Sequence, residues 1–413
     1  MDDLFEDLLK TPFQPQSIFI NGNEIAYMRL KIPIKLDNLL GWLDAQTLYP
    51  KVYWEDPRDG IIAGVGQALT FDSIPSFDQG VGPRFFGGSD FMKSKKGTWG
   101  DFPSSRYFLP LIEVEKRGEK TFLVVNRVSD HVDIHLEDET PLEFNSKVIS
   151  RFDAPSYPVW EEEINDILRK IGENKLTKVV LARLTELEME SKISPFALLK
   201  KLSGTTRYAF QWTPDQIFIG NSPEILYRRK DRLLESAAIA GTRPRGKTEE
   251  DDAQFMDELI NSPKEMHEFQ VVKEMISKTL SHLCHDHTID DCTVLKTPKV
   301  QHLHHSIQGT LHSEIDDTVL IKALHPTPAV GGLPRAEALK ELEDREPFDR
   351  GWYAAPIGWI APHAAHLRVG IRSALIEGNI LRLWAGTGIV QGSNPLSEWE
   401  ELEHKISQFM VLL

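Results

Sequence analysis

The residues whose types and spacing are best suited to chemistry lie between positions 384 and 405. A strand spaced by glycines leads into a turn at residues 392–395, and the helix that follows is acidic in its first half. Spacings of three and seven residues place Glu398, Glu401 and Lys405 on one face of that helix. The segment therefore presents acidic and basic side chains together near a helix start.

Two interpretations of this acidic helix start are open. A carboxylate such as Glu398, beside a backbone that Gly386 and Gly388 leave unobstructed, suits a hard cation that carries an anionic ligand. The alternative is an ordinary solvated helix, since acidic first turns are common, with a Glu401–Lys405 pair that contributes roughly a few tenths of a kcal/mol. The rest of the chain has to decide between them.

A second carboxylate is predicted on a helix that spans residues 263–282. Ser262 as the N-cap and Glu265 three residues later form a capping box, and apolar residues occupy two faces of the helix. A helix with two apolar faces is buried, so Glu268 is expected to point inward. A buried carboxylate must be paired or must bind a metal; a structural salt bridge is the alternative.

Five further charged residues each have an ordinary alternative to a functional role. Lys178 opens a strand and Glu224 follows a turn between two strands, and charged residues in such places are usually solvated. Arg368, Arg372 and Arg382 share one face of a predicted hairpin. Such a face can bind a carboxylate through paired hydrogen bonds or can simply face water.

Two other patterns resemble cofactor motifs without matching them. The histidines at 302–305, and the His and Cys residues at 282–287, do not provide two well-spaced ligand pairs, so a structural zinc site is not expected. The Gly386-x-Gly388 pattern lacks its third glycine and has no βαβ unit around it, so it is not a dinucleotide-binding fingerprint.

Composition bounds the class of protein. The chain has 413 residues, of which 41 % are hydrophobic and 26 % charged, as in a globular protein with one large core or two domains. A net charge of −15 argues against a nucleic-acid partner. Two cysteines favour a reducing compartment, and neither an export signal nor an apolar run of membrane-spanning length is visible. We therefore expect a cytoplasmic protein that binds neither nucleic acid nor a membrane.

The predicted elements divide the chain near residue 150. Residues 1–150 read as short strands broken by Gly and Pro, and residues 151–413 mix strands with clear helices. Long runs of strands with helices between them favour an α+β layered fold over strict βαβ alternation. The predicted helices are Leu36–Thr47, Trp160–Gly172, Pro195–Lys201, Pro263–His282 and Arg335–Leu342, and the hairpin joins the strands Leu367–Glu377 and Ile380–Trp384.

Eight motifs of the chain resemble those of the chorismate-utilising enzymes, and within that family they resemble the isochorismate synthases. They follow the family's order from residue 155 to residue 407, whereas the first 150 residues match more loosely. The motifs are K-V-V-L-A-R (178–183), N-S-P-E (221–224), A-I-A-G-T-R-P-R-G (238–246), K-E-M-H-E (264–268), H-L-H-H-S-I-Q-G-T-L (302–311), L-H-P-T-P-A-V-G-G-L-P (324–334), F-D-R-G-W-Y-A-A-P-I-G-W (348–359) and the segment 384–405.

The resemblance implies an α+β, anthranilate/aminodeoxychorismate synthase-like fold, with a two-sheet β-sandwich core surrounded by helices. Residues 1–150 would be the N-terminal β-rich part of this one large unit, and residues 151–413 its chorismate-binding catalytic region. The implied activity is the Mg²⁺-dependent, reversible isomerisation of chorismate to isochorismate, which feeds menaquinone, siderophore or salicylate biosynthesis. A monomer or weak dimer is expected, with chorismate as the small-molecule partner.

The resemblance also implies which residues form the site. Lys178 matches the family's catalytic base and Glu224 its general acid, whereas Glu268 and Glu398 match the ligands of Mg²⁺. Thr387, which replaces an alanine of the family pattern, is one of several departures that leave this set untouched. The positions that match the family's chorismate pocket are Gly241, Thr242, His302, Arg372, Gly386, Gly388 and Lys405.

These groups suit the implied reaction. Water has to attack C2 of the ring while the oxygen on C4 leaves, so a neutral amine at Lys178 would take the proton of the water. A protonated carboxyl at Glu224 would protonate the leaving oxygen. Burial raises the pKa of a carboxyl, which is expected for Glu224. The amine at Lys178 has to be neutral for its role, and desolvation of a lysine favours the neutral form.

Two other functions stay open at this point. A salicylate synthase shares the lysine and eliminates pyruvate in the same site, although residues 325–332 look like the isomerase version. A catalytically inactive chorismate-binding subunit is disfavoured, because the set of catalytic and metal-binding residues is complete. Lys178 also distinguishes the chain from anthranilate synthase, which usually carries Gln at that position.

Overall fold

The structure is a computed structural model that describes residues 11–78, 80–93, 97–129, 135–296 and 300–413, without the side chains of Ala240, Thr242, Lys264 and Glu268. The predicted helices are all present, with ends shifted by a few residues, whereas the sequence pattern did not predict the helices over residues 249–261 and 317–324. The helices are α1 (Leu39–Ala45), α2 (Tyr157–Gly172), α3 (Pro195–Lys201), α4 (Glu249–Asn261), α5 (Pro263–Leu283), α6 (Asp317–Leu324), α7 (Arg335–Arg345) and α8 (Pro395–Met410).

Strands make up the larger part of the regular structure, and the predicted α+β class is confirmed. The strands are β1 (Gln16–Ile20), β2 (Asn23–Ile34), β3 (Lys51–Asp56), β4 (Gly60–Phe71), β5 (Phe85–Ser89), β6 (Ser105–Arg117), β7 (Lys120–Arg127), β8 (Val148–Ala154), β9 (Lys178–Met189), β10 (Thr206–Gln211), β11 (Gln216–Ser222), β12 (Ile225–Lys230), β13 (Leu233–Pro244), β14 (Cys284–Ile289), β15 (Thr293–Lys296), β16 (Val300–Leu311), β17 (Gly332–Leu333), β18 (Pro356–Ala361), β19 (Ala364–Val369), β20 (Ser373–Glu377) and β21 (Ile380–Ile389).

Antiparallel pairing joins these strands into a network that branches at β6. One edge of β6 pairs with β4, and the network continues through β3, β10, β11, β20, β21 and β9. The other edge pairs with β7 along residues 112–117 and with β5 along residues 105–108. Beyond β5 the network continues through β18, β19, β12, β13 and β16. We call the series from β4 to β9 arm A and the series from β5 to β16 arm B.

The chain crosses between the arms at two links. Residues 223–224 join β11 of arm A to β12 of arm B, and residues 370–372 join β19 of arm B to β20 of arm A. Backbone hydrogen bonds of 3.1 Å hold both links: the N–H of Val369 donates to the carbonyl of Glu224, and the N–H of Asn221 donates to the carbonyl of Arg372. Two residues that are distant in sequence are therefore held where the arms meet.

The predicted continuous strand over residues 367–377 is wrong, because the chain leaves the extended conformation at Arg372. This residue has a φ of +55°, a left-handed conformation that costs a non-glycine residue about 1–3 kcal/mol. β19 and β20 are therefore separate strands. The predicted arginine face is wrong as well, since Arg368 is buried within β19 while Arg382 forms an ion pair with Glu186 at 2.8 Å.

Local capping positions the two helices that carry the predicted acidic residues. The Ser262 side chain accepts a hydrogen bond from the N–H of Glu265 at the start of α5, as the capping-box pattern predicts. At the start of α8, the Asn394 side chain accepts hydrogen bonds from two backbone N–H groups. Each cap satisfies donors that a helix start otherwise leaves unpaired, and α8 thereby begins at a defined residue just before Glu398.

The predicted division of the chain at residue 150 falls inside β8 and stays a prediction. Strands from either side of that position pair with one another, as β3 does with β10 and β5 does with β18. Within the described ranges, every helix is too short or too polar to cross a lipid bilayer.

Gly332 should be required for the packing of β17 beside Lys178. Its φ is +144°, and an added Cβ would lie 2.3 Å from the carbonyl oxygen of Lys178 and 2.7 Å from the Cβ of Ala338. We expect Gly332→Ala to lower the free energy of unfolding by about 3 kcal/mol, measured by urea denaturation. Gly80 is a matched control, because its φ is +145° and an added Cβ meets nothing within 4 Å. Gly80→Ala should cost only about 1 kcal/mol, and equal losses would contradict the packing argument.

Candidate active site

A cavity of about 180 Å³ lies where the arms meet, with walls from both links and from strands of both arms. It adjoins a larger cavity of about 820 Å³, and Arg372 and Lys405 belong to the walls of both. The structure thus brings together residues that are spread over more than half of the chain. The individual roles of these residues stay predictions. The predicted site residues that line the smaller cavity are Glu224, Gly241, His302, Arg372, Gly386, Gly388 and Lys405.

Glu224 lies in the first link, and its backbone is held on both sides. Its N–H donates to Ser222 Oγ (3.2 Å), and its carbonyl accepts the hydrogen bond from Val369. The side chain is 8 % exposed. Burial raises the pKa of the Glu224 carboxyl to about 7, although the charges of Lys178 and Lys405 act in the opposite direction. A carboxyl with this pKa is protonated in part near neutral pH, as a general acid must be.

Lys178 is the first residue of β9 and is fully buried. Its backbone pairs with Leu333 of β17, and Val180, two residues further along β9, lines the cavity. Lys178 itself is not one of the lining residues. Its charge nevertheless lowers the pKa of Glu224 against the effect of burial, so the amine is close enough to act on the carboxyl.

Arg372 and Lys405 place two cationic side chains on one part of the cavity wall, next to Glu401. Arg372 Nη1 donates to the backbone oxygen of Lys405 (3.1 Å), and Lys405 Nζ donates to the backbone oxygen of Gly386 (2.8 Å). Lys405 also forms the predicted ion pair with Glu401, at 2.5 Å. Desolvation lowers the pKa of the Arg372 guanidinium, but an arginine remains charged at neutral pH. These cations can bind a carboxylate group of a ligand.

His302 contributes a neutral ring to the same wall. Its Nδ1 lies 3.2 Å from the backbone oxygen of Gly241. A carbonyl oxygen can only accept a hydrogen bond, so we assign the ring proton to Nδ1. Burial and the nearby charge of Arg372 lower the pKa of His302 to about 4. The ring therefore offers hydrogen bonding to a ligand without adding a charge near neutral pH.

Glu398 offers a buried carboxylate beside the cavity. It is 2 % exposed, and its Oε2 accepts a hydrogen bond of 2.5 Å from the hydroxyl of Thr387, which lines the cavity. Carboxylate oxygens are ligands that Mg²⁺ prefers, so this residue fits the predicted metal-binding role. The other predicted ligand, Glu268, belongs to α5, but its side chain, like that of Thr242, lies outside the described part of the chain.

A second buried acidic group does not fit a metal ion. Among the described side chains, Asp56, Asp59 and His366 are the one set of three potential metal ligands whose atoms lie within 4.8 Å of one another. Asp59 Oδ2 already accepts hydrogen bonds from two indole N–H groups (2.9 Å each) and from His366 Nδ1 (2.7 Å). Arg368 Nη2 donates to Asp56 Oδ2 over 2.7 Å, and its charge would repel a cation. The set is a hydrogen-bonded ion cluster.

The cavity is also lined by residues that the sequence did not assign to the site, among them two aromatic residues and an ion pair. Tyr353 and Trp384 are buried and stack with their ring centroids 6.1 Å apart, and burial raises the pKa of Tyr353 to about 12. Arg243 and Glu265 form an ion pair of 2.9 Å at the cavity. Each lies within or beside a family motif, which is the signal that could have found it. Residue type alone points to core packing for the two aromatic residues.

Comparison with known proteins finds similar sequences along most of the chain. The family model described as "Chorismate binding enzyme" matches residues 74–413. The chain is 40 % identical over 277 residues to the chloroplastic isochorismate synthase of Catharanthus roseus, covering 65 % of this chain and 48 % of that protein. The chain thus spans about half the length of that relative. It is 32 % identical over 407 residues to isochorismate synthase MenF of Haemophilus influenzae, covering 94 % of this chain and 92 % of that protein.

A solved structure has the same fold. The structure of MenF, the menaquinone-specific isochorismate synthase from Escherichia coli, superposes with a TM-score of 0.87. The superposition covers 100 % of this chain and 98 % of that chain, at 28 % sequence identity. The likeness therefore includes both arms and the residues between them.

The buried Glu224 carboxyl should destabilise the protein as the pH rises. Its pKa increases on folding from 4.5 to about 7, so between these values the folded state binds more protons than the unfolded state, and stability falls with increasing pH. Glu224→Gln removes this titration. We expect the unfolding free energy of the variant, relative to the parent, to rise by on the order of 3 kcal/mol from pH 4 to pH 8.

Denaturant titration across this pH range tests the expectation. Near pH 4 the carboxyl is largely protonated in both the folded and the unfolded state, so the stability difference between the variant and the parent at this pH serves as the reference for the difference at higher pH. A stability difference that stays constant up to pH 8 would contradict the desolvation of Glu224.

Proposed function

Because the chain belongs to the chorismate-binding enzyme family, we propose that it converts chorismate reversibly into isochorismate, as an isochorismate synthase does. The observation that carries the proposal is a buried lysine, Lys178, whose charge acts on a buried glutamic acid, Glu224, beside a cavity that Arg372 and Lys405 line. The name of the Haemophilus influenzae relative, which the match covers along 92 % of its length, supports the same activity.

The reaction exchanges one C–O bond of the ring for another. Water forms a bond to C2, the bond between C4 and its hydroxyl oxygen breaks, and the ring double bonds shift, so one water enters and one leaves. Neutral Lys178 takes a proton from the attacking water, and protonated Glu224 gives a proton to the departing hydroxyl. The pKa of Glu224 at about 7 supports this acid role, because the proton is present in part of the molecules and can be released.

Chorismate carries two carboxylates, and we assign Arg372 and Lys405 to the enolpyruvyl carboxylate. A carboxylate that leaves water must be compensated by charge or hydrogen bonds. The two cations at the cavity provide the charge, and the backbone near Gly386 and Gly388 can approach closely because neither residue carries a Cβ. His302 adds a neutral hydrogen-bonding group to the same wall. This arrangement supports an anionic substrate.

Glu268 and Glu398 would hold a Mg²⁺ ion that compensates the charge of the ring carboxylate. When bound, Mg²⁺ neutralises such a carboxylate and withdraws electron density from the adjacent double bond. The burial of Glu398 beside the cavity supports its part in this assignment. The hydrogen bond from Thr387 fixes the orientation of the Glu398 carboxylate, as supporting contacts around metal ligands commonly do.

We propose menaquinone biosynthesis as the pathway that uses the product, ahead of siderophore or salicylate biosynthesis. The support is that the similar Escherichia coli enzyme is described as menaquinone-specific. The location that goes with this proposal is the cytoplasm, as expected from the composition of the chain.

Purified protein given chorismate and Mg²⁺ should form isochorismate without releasing pyruvate, as followed by chromatography and a coupled pyruvate assay. Lys178→Gln should lower kcat by about 1000-fold while chorismate still binds, because the base is lost and the charged wall is kept. The control is Lys175→Gln, a lysine in an exposed ion pair with Glu173, which should keep its rate. Release of pyruvate in a stoichiometric amount would indicate a salicylate synthase, and binding of chorismate without turnover would indicate an inactive subunit. An unchanged rate in Lys178→Gln would contradict the assignment of Lys178 as the base.

Glu398→Gln should raise the Mg²⁺ concentration needed for half-maximal activity by at least about tenfold, because a charged oxygen ligand is replaced by a neutral one. Calorimetric titration with Mg²⁺ in the presence of chorismate provides a second measurement. Glu400→Gln is the control, since Glu400 lies on the same helix with an exposed side chain. The same metal dependence in both variants would contradict the ligand role of Glu398.

A further inference from the structure

A buried cluster of charged side chains adjoins the link that carries Glu224. Its members are Asp56 at the end of β3, Asp59 in the following turn, and His366 and Arg368 in β19. Each is less than one tenth exposed. Burying charge is costly unless the groups compensate one another. The metal-ion interpretation does not fit this cluster, and the proposed reaction does not use it, so its position needs another explanation.

Arg368 connects the cluster to the link by two hydrogen bonds. Its Nη2 donates to Asp56 Oδ2 over 2.7 Å, and its Nη1 donates to the carbonyl oxygen of Pro223 over 3.2 Å. The rigid, planar guanidinium sets the direction of one bond once the other is made. Asp56 thereby orients the donor that holds the Pro223 carbonyl.

Asp56 is itself held in place from two directions. The hydroxyl of Thr206 donates to its Oδ2 (2.5 Å), and the backbone N–H of Arg58 donates to its Oδ1 (2.9 Å). Burial by itself would raise the pKa of Asp56, but the interactions with His366 and Arg368 and the hydrogen bonds from Thr206 and Arg58 lower it overall. The carboxylate is therefore charged near neutral pH and remains a strong acceptor for Arg368.

The bond to Pro223 acts on the peptide unit that precedes the Cα of Glu224. The carbonyl of this unit belongs to Pro223 and accepts from Arg368, whereas its N–H belongs to Glu224 and donates to Ser222 Oγ (3.2 Å). With both polar groups bonded, the plane of the peptide is fixed. The next peptide unit is held as well, because the Glu224 carbonyl accepts a hydrogen bond from the N–H of Val369 (3.1 Å). With both peptide units fixed, the direction in which the Glu224 side chain leaves the backbone is fixed too.

We propose that Arg368, anchored by Asp56, is a positioning residue for Glu224. The guanidinium holds the Pro223–Glu224 peptide so that the carboxyl stays in the desolvated wall of the cavity. This inference rests on the proposed function, in which Glu224 is the general acid. It gives the β-rich N-terminal region, through Asp56, a direct part in the geometry of the reaction.

A buried ion pair can also contribute to stability alone, without any effect on Glu224. A second buried ion pair of the protein provides a matched control for this possibility. Arg229 in β12 and Asp317 in α6 are 8 % and 5 % exposed, and the guanidinium donates to both carboxylate oxygens (3.0 and 2.7 Å). The backbone oxygens that Arg229 also contacts belong to Asp231, Ala361 and Pro362, away from the Glu224 link. Asp317→Asn therefore disrupts a comparable pair without touching the peptide before Glu224.

The experiment compares Asp56→Asn, Arg368→Lys and Asp317→Asn with the parent protein in the chorismate assay. Asp56→Asn and Arg368→Lys should lower kcat by about 10- to 100-fold, since a small misplacement of a reacting group has this effect. KM should change by less than about threefold. The falling alkaline limb of the rate profile should move to lower pH, because a better-solvated Glu224 carboxyl loses its proton more easily. Asp317→Asn should lower the melting temperature while kcat per folded molecule stays within about twofold.

Infrared spectroscopy provides a measurement that does not depend on turnover. The C=O band of the protonated Glu224 carboxyl, identified by its loss in Glu224→Gln, should shift and titrate at lower pH in Arg368→Lys, and stay unchanged in Asp317→Asn. Unchanged kcat, pH profile and carboxyl band in Asp56→Asn and Arg368→Lys would overturn the proposal, as would an equal loss of kcat in Asp317→Asn. Arg368→Lys keeps the positive charge and decides the matter if Asp56→Asn does not fold. A parent protein that does not isomerise chorismate would refute the proposed function, and the carboxyl band would still report on the positioning.

Discussion

The burial of ionisable groups where arms A and B meet is the constraint on which the site depends. The chain crosses between the arms at residues 223–224 and 370–372, and these crossings bury Glu224 and leave Arg372 half-buried. In such an interior a charge acts on its neighbours much more strongly than it does in water. The raised pKa of Glu224 and the lowered pKa of His302 share this cause.

The contrast between the overall charge and the local charge follows from the same constraint. The chain carries a net charge of −15, and the proposed substrate is a dianion. Salt screens the long-range field of exposed carboxylates within about 8–10 Å, whereas cations in a desolvated wall act at contact distance. Arg372 and Lys405 line the cavity, and Lys178 lies buried beside it. An acidic protein can therefore place cationic groups in contact with an anionic ligand.

The N-terminal strands belong to the framework of the site, although their sequence resembles the family only loosely. β3 pairs with β10 of the better-matched region, and Asp56 at the end of β3 forms an ion pair with Arg368 of β19. What this region has to preserve is a set of backbone pairings and a few buried polar contacts. Many sequences meet such requirements, whereas groups that touch a reacting ligand tolerate far less change.

The sequence by itself determined the helices with strong apolar periodicity, the cap at Ser262, the family, and the identity of the residues in the proposed site. Motif order and spacing record side-chain chemistry directly, so these features could be predicted. It did not reveal the break at Arg372, because contacts from residues distant in sequence hold a left-handed backbone there and no local signal announces it. Nor did it show whether Lys178 is buried or solvated, since both occur at the start of a strand.

Only the tertiary structure decided which charges become neighbours. Asp56 and Arg368 are separated by 312 positions in sequence yet share a hydrogen bond, and the Glu224 carboxyl is desolvated by strands from two arms. Burial and electrostatic coupling depend on distances through space, and these distances exist only once the arms have paired.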